Sequence, residues 1–218
     1  MTIFAHNLSA MIEFFKYLHH LDKDITLAIN SIHCPASDWI WGVFSDKEIW
    51  FAMYAVIAFF IIRNLGWKRG LISIAAIVLT IVCCDQLGNV SKAFFQRLRP
   101  CCDGEMIARG HRLLEWCGPI EYGFYSAHAA NAIGLAVSSY RLFRNDRSRN
   151  YSVYGICIFC WGLLVGFSRI FVGKHFFGDV MVGFAVGILL GWVISSVATL
   201  IVSKFPPQDS PSVEKKAE

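Results

Sequence analysis

Charge is what this sequence has least of. Only 17% of its 218 residues are Asp, Glu, Lys or Arg, against about 25% in a soluble domain. Hydrophobic residues make up 56%, and the mean hydropathy is +0.49. A single soluble core of this size could not hide that much apolar surface. The composition excludes a disordered chain, a collagen-like repeat and a charged coiled coil, and points to an integral membrane protein. The net charge of +4 is mild, and no basic run is interleaved with aromatics, so nucleic acid is not an expected partner. There is no H-E-x-x-H and no close carboxylate cluster, so no metal is expected. A G-x-S-x-G elbow is also missing. The N-terminal region carries Glu13 and lacks a basic start followed by an apolar core, so no cleavable signal peptide is expected.

Long apolar runs are what the chain does have. A spanning helix needs about 20 mostly apolar residues. Gly70–Val90 carries one charge, Asp85, while Tyr122–Tyr140, Tyr151–Ser168 and Val180–Ser203 carry none. Ile49–Ile62 is shorter and spans if Lys47 and Arg63 reach out to the headgroups. The expected fold is therefore all-α, a polytopic transmembrane helical bundle of about five spans. Residues 1–47 read as an N-terminal amphipathic, interfacial segment, because Met11, Phe14, Phe15, Tyr17 and Leu18 recur at helical spacing between Glu13, Lys16 and His19. A sixth span there is the alternative. Residues 48–203 form the transmembrane domain, and 204–218 read as a disordered polar tail.

Of the 8 cysteines, Cys83, Cys84, Cys157 and Cys160 lie in apolar runs and read as small core hydrophobes. The Cys157-x-x-Cys160 pair lacks the second pair that a zinc site needs. Counting crossings puts the Arg63–Lys68–Arg69 loop, the Arg141–Arg149 loop and Lys204 on one face. The loop 92–121, the turn 169–174 and the N-terminal region fall on the other. Lys and Arg divide evenly between the two. Short arginine-dense loops favour the first face as cytoplasmic, and several cations on the second have a chemical use.

On that second face Lys92 and Arg99 follow one span, Ser126 and His128 open the next, Ser168 and Arg169 close the fourth, and His175 and Asp179 open the fifth. Ionisable groups gathered at span ends are functional candidates, and three cations with hydroxyl and imidazole donors suit a phosphate. His175 and Asp179 are four apart and share a helix face, so the carboxylate can fix the imidazole tautomer and leave the other nitrogen free to attack phosphorus. His128, on a different helix, is placed to protonate a leaving oxygen. Lys92, Arg99 and Arg169 would neutralise the equatorial oxygens. Ser126 and the Ala127 amide would add donors at a helix N-terminus. A serine hydrolase built on Ser126, His128 and Asp179 fails, because residues two apart point to different sides of a helix. A transporter would place its polar groups near the midplane rather than at one surface.

Lys92-Ala-Phe-Phe-Gln-Arg-Leu-Arg99-Pro100 matches K-x6-R-P, Tyr125-Ser126-Ala127-His128 resembles P-S-G-H, and Ser168-Arg169 through His175 to Asp179 matches S-R-x5-H-x3-D. Over about Asp85–Gly191 the chain thus resembles the type 2 phosphatidic acid phosphatase superfamily. The resemblance implies metal-independent hydrolysis of a membrane lipid phosphate through a phosphohistidine, with no cofactor. It makes His175 the nucleophile, Asp179 its orienter and His128 the proton donor, with Lys92, Arg99, Ser126, Ala127 and Arg169 as the phosphate pocket. The substrates in view are undecaprenyl diphosphate, a lipid A phosphate, phosphatidylglycerol phosphate and phosphatidic acid. A lipid phosphotransferase using the same phosphohistidine is the alternative. The expected location is a bacterial inner membrane, with the site on the periplasmic face. Tyr125 and Ala127 depart from the motif, and alanine fits without strain if its backbone is helical.

Five further readings remain to be tested against a structure. Asp85 serves either as an anchor for a pocket cation or as helix-packing glue. Gly183, Gly187 and Gly191 form a small-residue ladder for packing within the bundle or for a dimer. Trp39, Trp41 and Trp50 fit an interfacial belt. Arg97, Arg109, His111 and Arg112 either hold a second anionic group or form a solvated loop surface. Cys117 pairs with Cys101 or Cys102 if the loop lies in an oxidising compartment; otherwise all three are free thiols.

Overall fold

The computed structural model describes residues 2–205, with side chains from residue 9 onward. Within that range the chain is all-helical: α1 (Thr2–Asn30), α2 (Pro35–Ser45), α3 (Phe51–Leu65), α4 (Trp67–Phe95), α5 (Gly104–Ala108), α6 (Ala127–Phe143), α7 (Ser152–Phe171) and α8 (Phe177–Val202). Four stretches are long and apolar enough to cross a membrane: Glu48–Leu65, α4, α7 and α8. Most of the polar tail expected at 204–218 lies outside the described residues.

The span expected at Tyr122–Tyr140 is α6, which starts later and has 17 residues. Its expected first turn is used otherwise. The Arg99 N–H donates to the Glu121 carbonyl (2.9 Å), the Gly123 N–H donates to the Arg97 carbonyl (2.8 Å), and Leu98 pairs with Tyr122 in an isolated antiparallel bridge. Ser126 then caps α6, its hydroxyl accepting the Ala129 N–H. Most of α6 is buried, and it forms the centre of the bundle between α4, α7 and α8.

The glycine ladder of α8 packs inside the bundle. A Cβ at Gly183 would lie 2.6 Å from the Ser126 carbonyl oxygen, at Gly187 2.4 Å from that of Ala130, and at Gly191 2.9 Å from that of Gly134. These glycines let α8 press its backbone onto α6. Tyr125, in the motif's proline position, is buried beside them and donates from its hydroxyl to the Cys84 carbonyl of α4 (2.8 Å).

Helix α1 runs unbroken to Asn30. Met11, Phe14, Phe15 and Leu18 stay exposed, whereas Lys23, Thr26 and Asn30 are buried. This C-terminal part of α1 docks on the loops. Lys23 pairs with Asp103 (2.8 Å) and Glu105 (2.7 Å). The Asn30 amide donates to the carbonyls of Ile170 (3.0 Å) and Arg112 (3.1 Å). Arg109 pairs with Asp24 (2.6 Å) and Arg112 with Asp38 (2.8 Å). Arg109 and its partner thus lie on an exposed surface, whereas Arg112 is part-buried and His111 hydrogen-bonds to the Gly173 carbonyl (3.0 Å). The two arginines strap the loop 100–122 to α1 and α2. Trp39 is exposed as a belt residue would be, but Trp41 stacks on Phe171 at 4.1 Å and Trp50 packs between Phe44 and Trp161.

Candidate active site

Four helix ends meet at one end of the bundle: the C-termini of α4 and α7 and the N-termini of α6 and α8. The turn between α7 and α8 carries His175, which is buried. Gly173 makes that turn possible. Its φ is +84°, and a Cβ there would lie 2.2 Å from the Arg112 carbonyl oxygen. Asp179 opens α8, accepts the Phe176 N–H at 3.1 Å, and is fully buried. His175 Nδ1 stands 3.5 Å from Asp179 Oδ2, facing it but without a hydrogen-bond partner. Gly123 closes over both groups: a Cβ there would sit 3.2 Å from Asp179 Oδ2, 3.6 Å from His175 Nδ1 and 3.0 Å from Arg99 Cγ.

Burial holds the His175 imidazole well below its ordinary value, with Arg99, Arg169 and Lys92 adding to the effect. The ring is therefore neutral near pH 7. His128, one residue into α6, lies within electrostatic reach of His175, Arg169, Lys92 and Lys47. Lys92 is half-buried beside Arg99 and has no ion pair among the described residues. Ser126 is fully buried and serves as the α6 cap, and Ala127 is the first α6 residue. Gln96 is the one described non-glycine residue with positive φ, so Ala127 meets no backbone strain. All eight residues singled out from the sequence therefore converge.

The two arginines are not free, however. Arg169 makes a two-pronged pair with Glu115 (3.0 and 3.2 Å), and Ser45 hydrogen-bonds to both partners. Arg99 pairs with Glu121 (3.2 Å) and donates to the Tyr122 carbonyl. Burial pushes the Glu121 carboxyl up, but the Gly118 N–H, Arg99 and Lys174 together bring it below its ordinary value. Burying guanidinium groups requires counter-charges, and both come from the loop 100–122. Glu115, Glu121 and Ser45 were not legible as site residues, because their roles depend on contacts across 54, 22 and 124 residues.

Arg97 was singled out only as a loop cation. One arm of its guanidinium pairs with Asp179 Oδ1 (2.7 Å), the other with Asp22 (2.6 Å), and its plane lies 4.1 Å over the Phe176 ring. Asp22 and Thr26 of α1 also accept the first backbone N–H groups of α8, from Gly178 (2.7 Å) and Phe177 (2.9 Å). The N-terminal helix therefore caps the helix that carries Asp179. Cys117 is bonded to Cys101, with Cys102 left free 3.6 Å away. The bond removes two of the three sulfurs that could otherwise have shared a metal ion. Asp85, near the site on α4, touches Asn131 of α6 at 3.4 Å.

The sequence profile of the PAP2 superfamily matches residues 69–202. A protein of Bacteroides thetaiotaomicron described as a lipid A 4'-phosphatase is 33% identical over 203 residues, covering 93% of this chain and 87% of its own length. A lipid A 4'-phosphatase of Porphyromonas gingivalis is 31% identical, covering 84% and 75%. In three dimensions the chain is similar to the transmembrane PAP2-type phosphatidylglycerolphosphate phosphatase of Bacillus subtilis, with TM-score 0.66, 22% identity and coverage of 85% and 88%.

Proposed function

The chain belongs to the PAP2 superfamily and is an integral-membrane lipid phosphatase, and from that premise we propose that it cleaves a phosphate monoester of the lipid A type through a phosphohistidine. The observation that carries the mechanism is the meeting of a neutral, buried His175, its carboxylate Asp179, and His128 within one field of cations.

In this mechanism His175 Nε2 attacks phosphorus in line with the departing oxygen, while Asp179 holds the Nδ1 side. The phosphorus–oxygen bond breaks, and the leaving alkoxide takes a proton from His128. Water then attacks the phosphohistidine, His128 recovers a proton from it, and inorganic phosphate departs. Lys92, Arg99 and Arg169 stabilise charge on the three remaining oxygens, aided by Ser126 and the Ala127 amide. A guanidinium fork that fits the Glu115 carboxylate also fits a phosphate edge, so phosphate takes the place of Glu115 on Arg169. These residues supply the positive charge themselves, and no metal is required. The Cys101–Cys117 bond supports a site on the periplasmic face of a bacterial inner membrane, where disulfides persist.

The test is phosphate release from a lipid A 4'-phosphate by the purified chain in phospholipid vesicles with a chelator present. His175→Ala is expected to abolish release while the protein remains folded. Wild-type turnover by that variant refutes the nucleophile. Rescue of a metal-stripped preparation only by magnesium or zinc refutes metal independence.

A further inference from the structure

His128 lines a cavity of about 360 Å³ between α4, α6, α7 and the α2–α3 junction. The size is within the range of small-ligand pockets, about 300–1,000 Å³. Most of the lining is apolar, as expected beside a bilayer, but a polar cluster interrupts it. Asp85 is the single charge within Gly70–Val90 of α4. It is exposed, lines the cavity, and has no cation paired with it among the described residues. A carboxylate at membrane depth is costly without a use. Gln86 follows it on the cavity wall. Asn131, one turn beyond His128 on α6, donates to Asp85 at 3.4 Å, while its Oδ1 is buried without a partner. The indole N–H groups of Trp50 and Trp161, also cavity residues, are buried and unpartnered too. Of seven such orphan side-chain atoms among the described residues, three belong to this one cavity.

A buried donor or acceptor left unpaired costs free energy that a complementary ligand recovers. The groups here are a carboxylate that accepts, the Lys47 ammonium that donates, the Ser45 and Tyr54 hydroxyls, two amides that donate and accept, and two indole edges that donate beside broad aromatic faces. An acyl chain would use none of the polar groups. Asp85 and Lys47 put one charge of each sign on the lining, so charge alone selects no anionic leaving group. Hydroxyls on a ring with apolar C–H faces would satisfy both the polar atoms and the tryptophans.

We propose that this cavity is the leaving-group subsite, that it takes a hydroxyl-rich headgroup of the saccharide class, and that Asp85, Gln86 and Asn131, with Trp50 and Trp161, set that specificity. The inference rests on the phosphatase reading and deepens it. The sugar oxygen freed from phosphorus faces His128, and the rest of the ring enters the cavity below. A polyprenyl diphosphate leaves as a polyprenyl phosphate, which presents no hydroxyl-bearing ring to the cluster. A diacylglycerol presents too few hydroxyls to use the cluster.

The experiment compares kcat/KM for a glucosaminyl lipid phosphate, phosphatidic acid and a polyprenyl diphosphate, using the full chain in vesicles. Wild type is expected to favour the sugar phosphate. Asn131→Leu and Trp50→Phe should each lower that preference by about tenfold, the worth of one well-placed hydrogen bond. Trp50→Phe keeps the ring in place, so it carries the test if Asn131→Leu does not fold. Asp85→Asn, which loses one acceptor oxygen, should lower the preference for the sugar phosphate as well. Equal losses on all three substrates, or a wild type with no preference for the sugar phosphate, overturn the subsite alone. A wild type that releases phosphate from none of them overturns the phosphatase reading as well.

Discussion

Replacing Arg97 with alanine should disable the nucleophile without touching it. The guanidinium bridges Asp179 at 2.7 Å and Asp22 at 2.6 Å, and Asp179 is fully buried. Without Arg97, Asp179 retains the Phe176 N–H and no salt-bridged cation. Removing one partner of a buried pair costs about 3–5 kcal/mol. Arg97 is 20% exposed, so the lower end applies, about 3 kcal/mol. At about 2–4 °C per kcal/mol for a chain of this size, the apparent Tm should fall by roughly 6–12 °C. The carboxylate can escape the penalty by taking a proton, but it then no longer orients His175, and kcat should drop by about a hundredfold. Thermal unfolding in detergent and phosphate release would be measured for Arg97→Ala, Asp179→Asn and the double variant. A neutral amide at 179 gives Arg97 nothing to compensate, so the two losses should be non-additive by about 2 kcal/mol. Strictly additive losses would refute the reasoning. So would an Arg97→Ala protein with raised KM and intact kcat, because Arg97 would then be touching substrate rather than Asp179.

The imidazole of His175, lowered by burial and then by Arg99, Arg169 and Lys92, stays neutral as pH falls past its ordinary value of about 6.5. The acid limb of kcat/KM should therefore lie below that pH, and Arg99→Gln should move it upward. A limb that stays put removes Arg99 from the field at His175. Gly187→Ala places a Cβ 2.4 Å from the Ala130 carbonyl oxygen and should lower the apparent Tm by several degrees, whereas Gly42→Ala, with nothing within 4 Å, should not. Equal Tm values would contradict the close α6–α8 contact. Alkylation of unreduced protein should modify Cys102 and spare Cys101 and Cys117; modification of all three would exclude the bond.

The helices, and the gathering of the eight candidate residues at one end of the bundle, were legible because each rests on a local pattern: an apolar run, or a motif whose spacing lies within one helix or turn. Even so, α6 begins at Ala127 rather than Tyr122, because residues 121–123 are drawn into pairing with 97–99. Hydropathy does not register that competition. The partners of the site residues were not legible. Arg97 resembles any loop cation until Asp22 and Asp179 are brought to it from opposite ends of the chain. The amphipathic pattern of α1 was readable, but the capping of α8 by Asp22 and Thr26 crosses about 150 residues. Glu115 and Glu121 carry no motif, and only burial of Arg169 and Arg99 explains their presence.

The main-chain contact between α6 and α8 has a consequence for how the two histidines work together. One stands at the head of α6 and the other just before α8, and three glycines leave no side-chain cushion between these rods. Side chains can change rotamer, but two abutting backbones cannot slide closer and can part only by opening a void. The separation of the two proposed catalytic histidines is therefore a property of the frame. A phosphate must fit a gap that is already set, and adaptation to different lipids falls to the opposite wall. There α2 and α4 face His128 across the cavity, and a Cβ at Gly88 or Gly134, where α4 meets α6, would meet side-chain atoms first, at 3.4 and 3.1 Å, rather than main-chain oxygens.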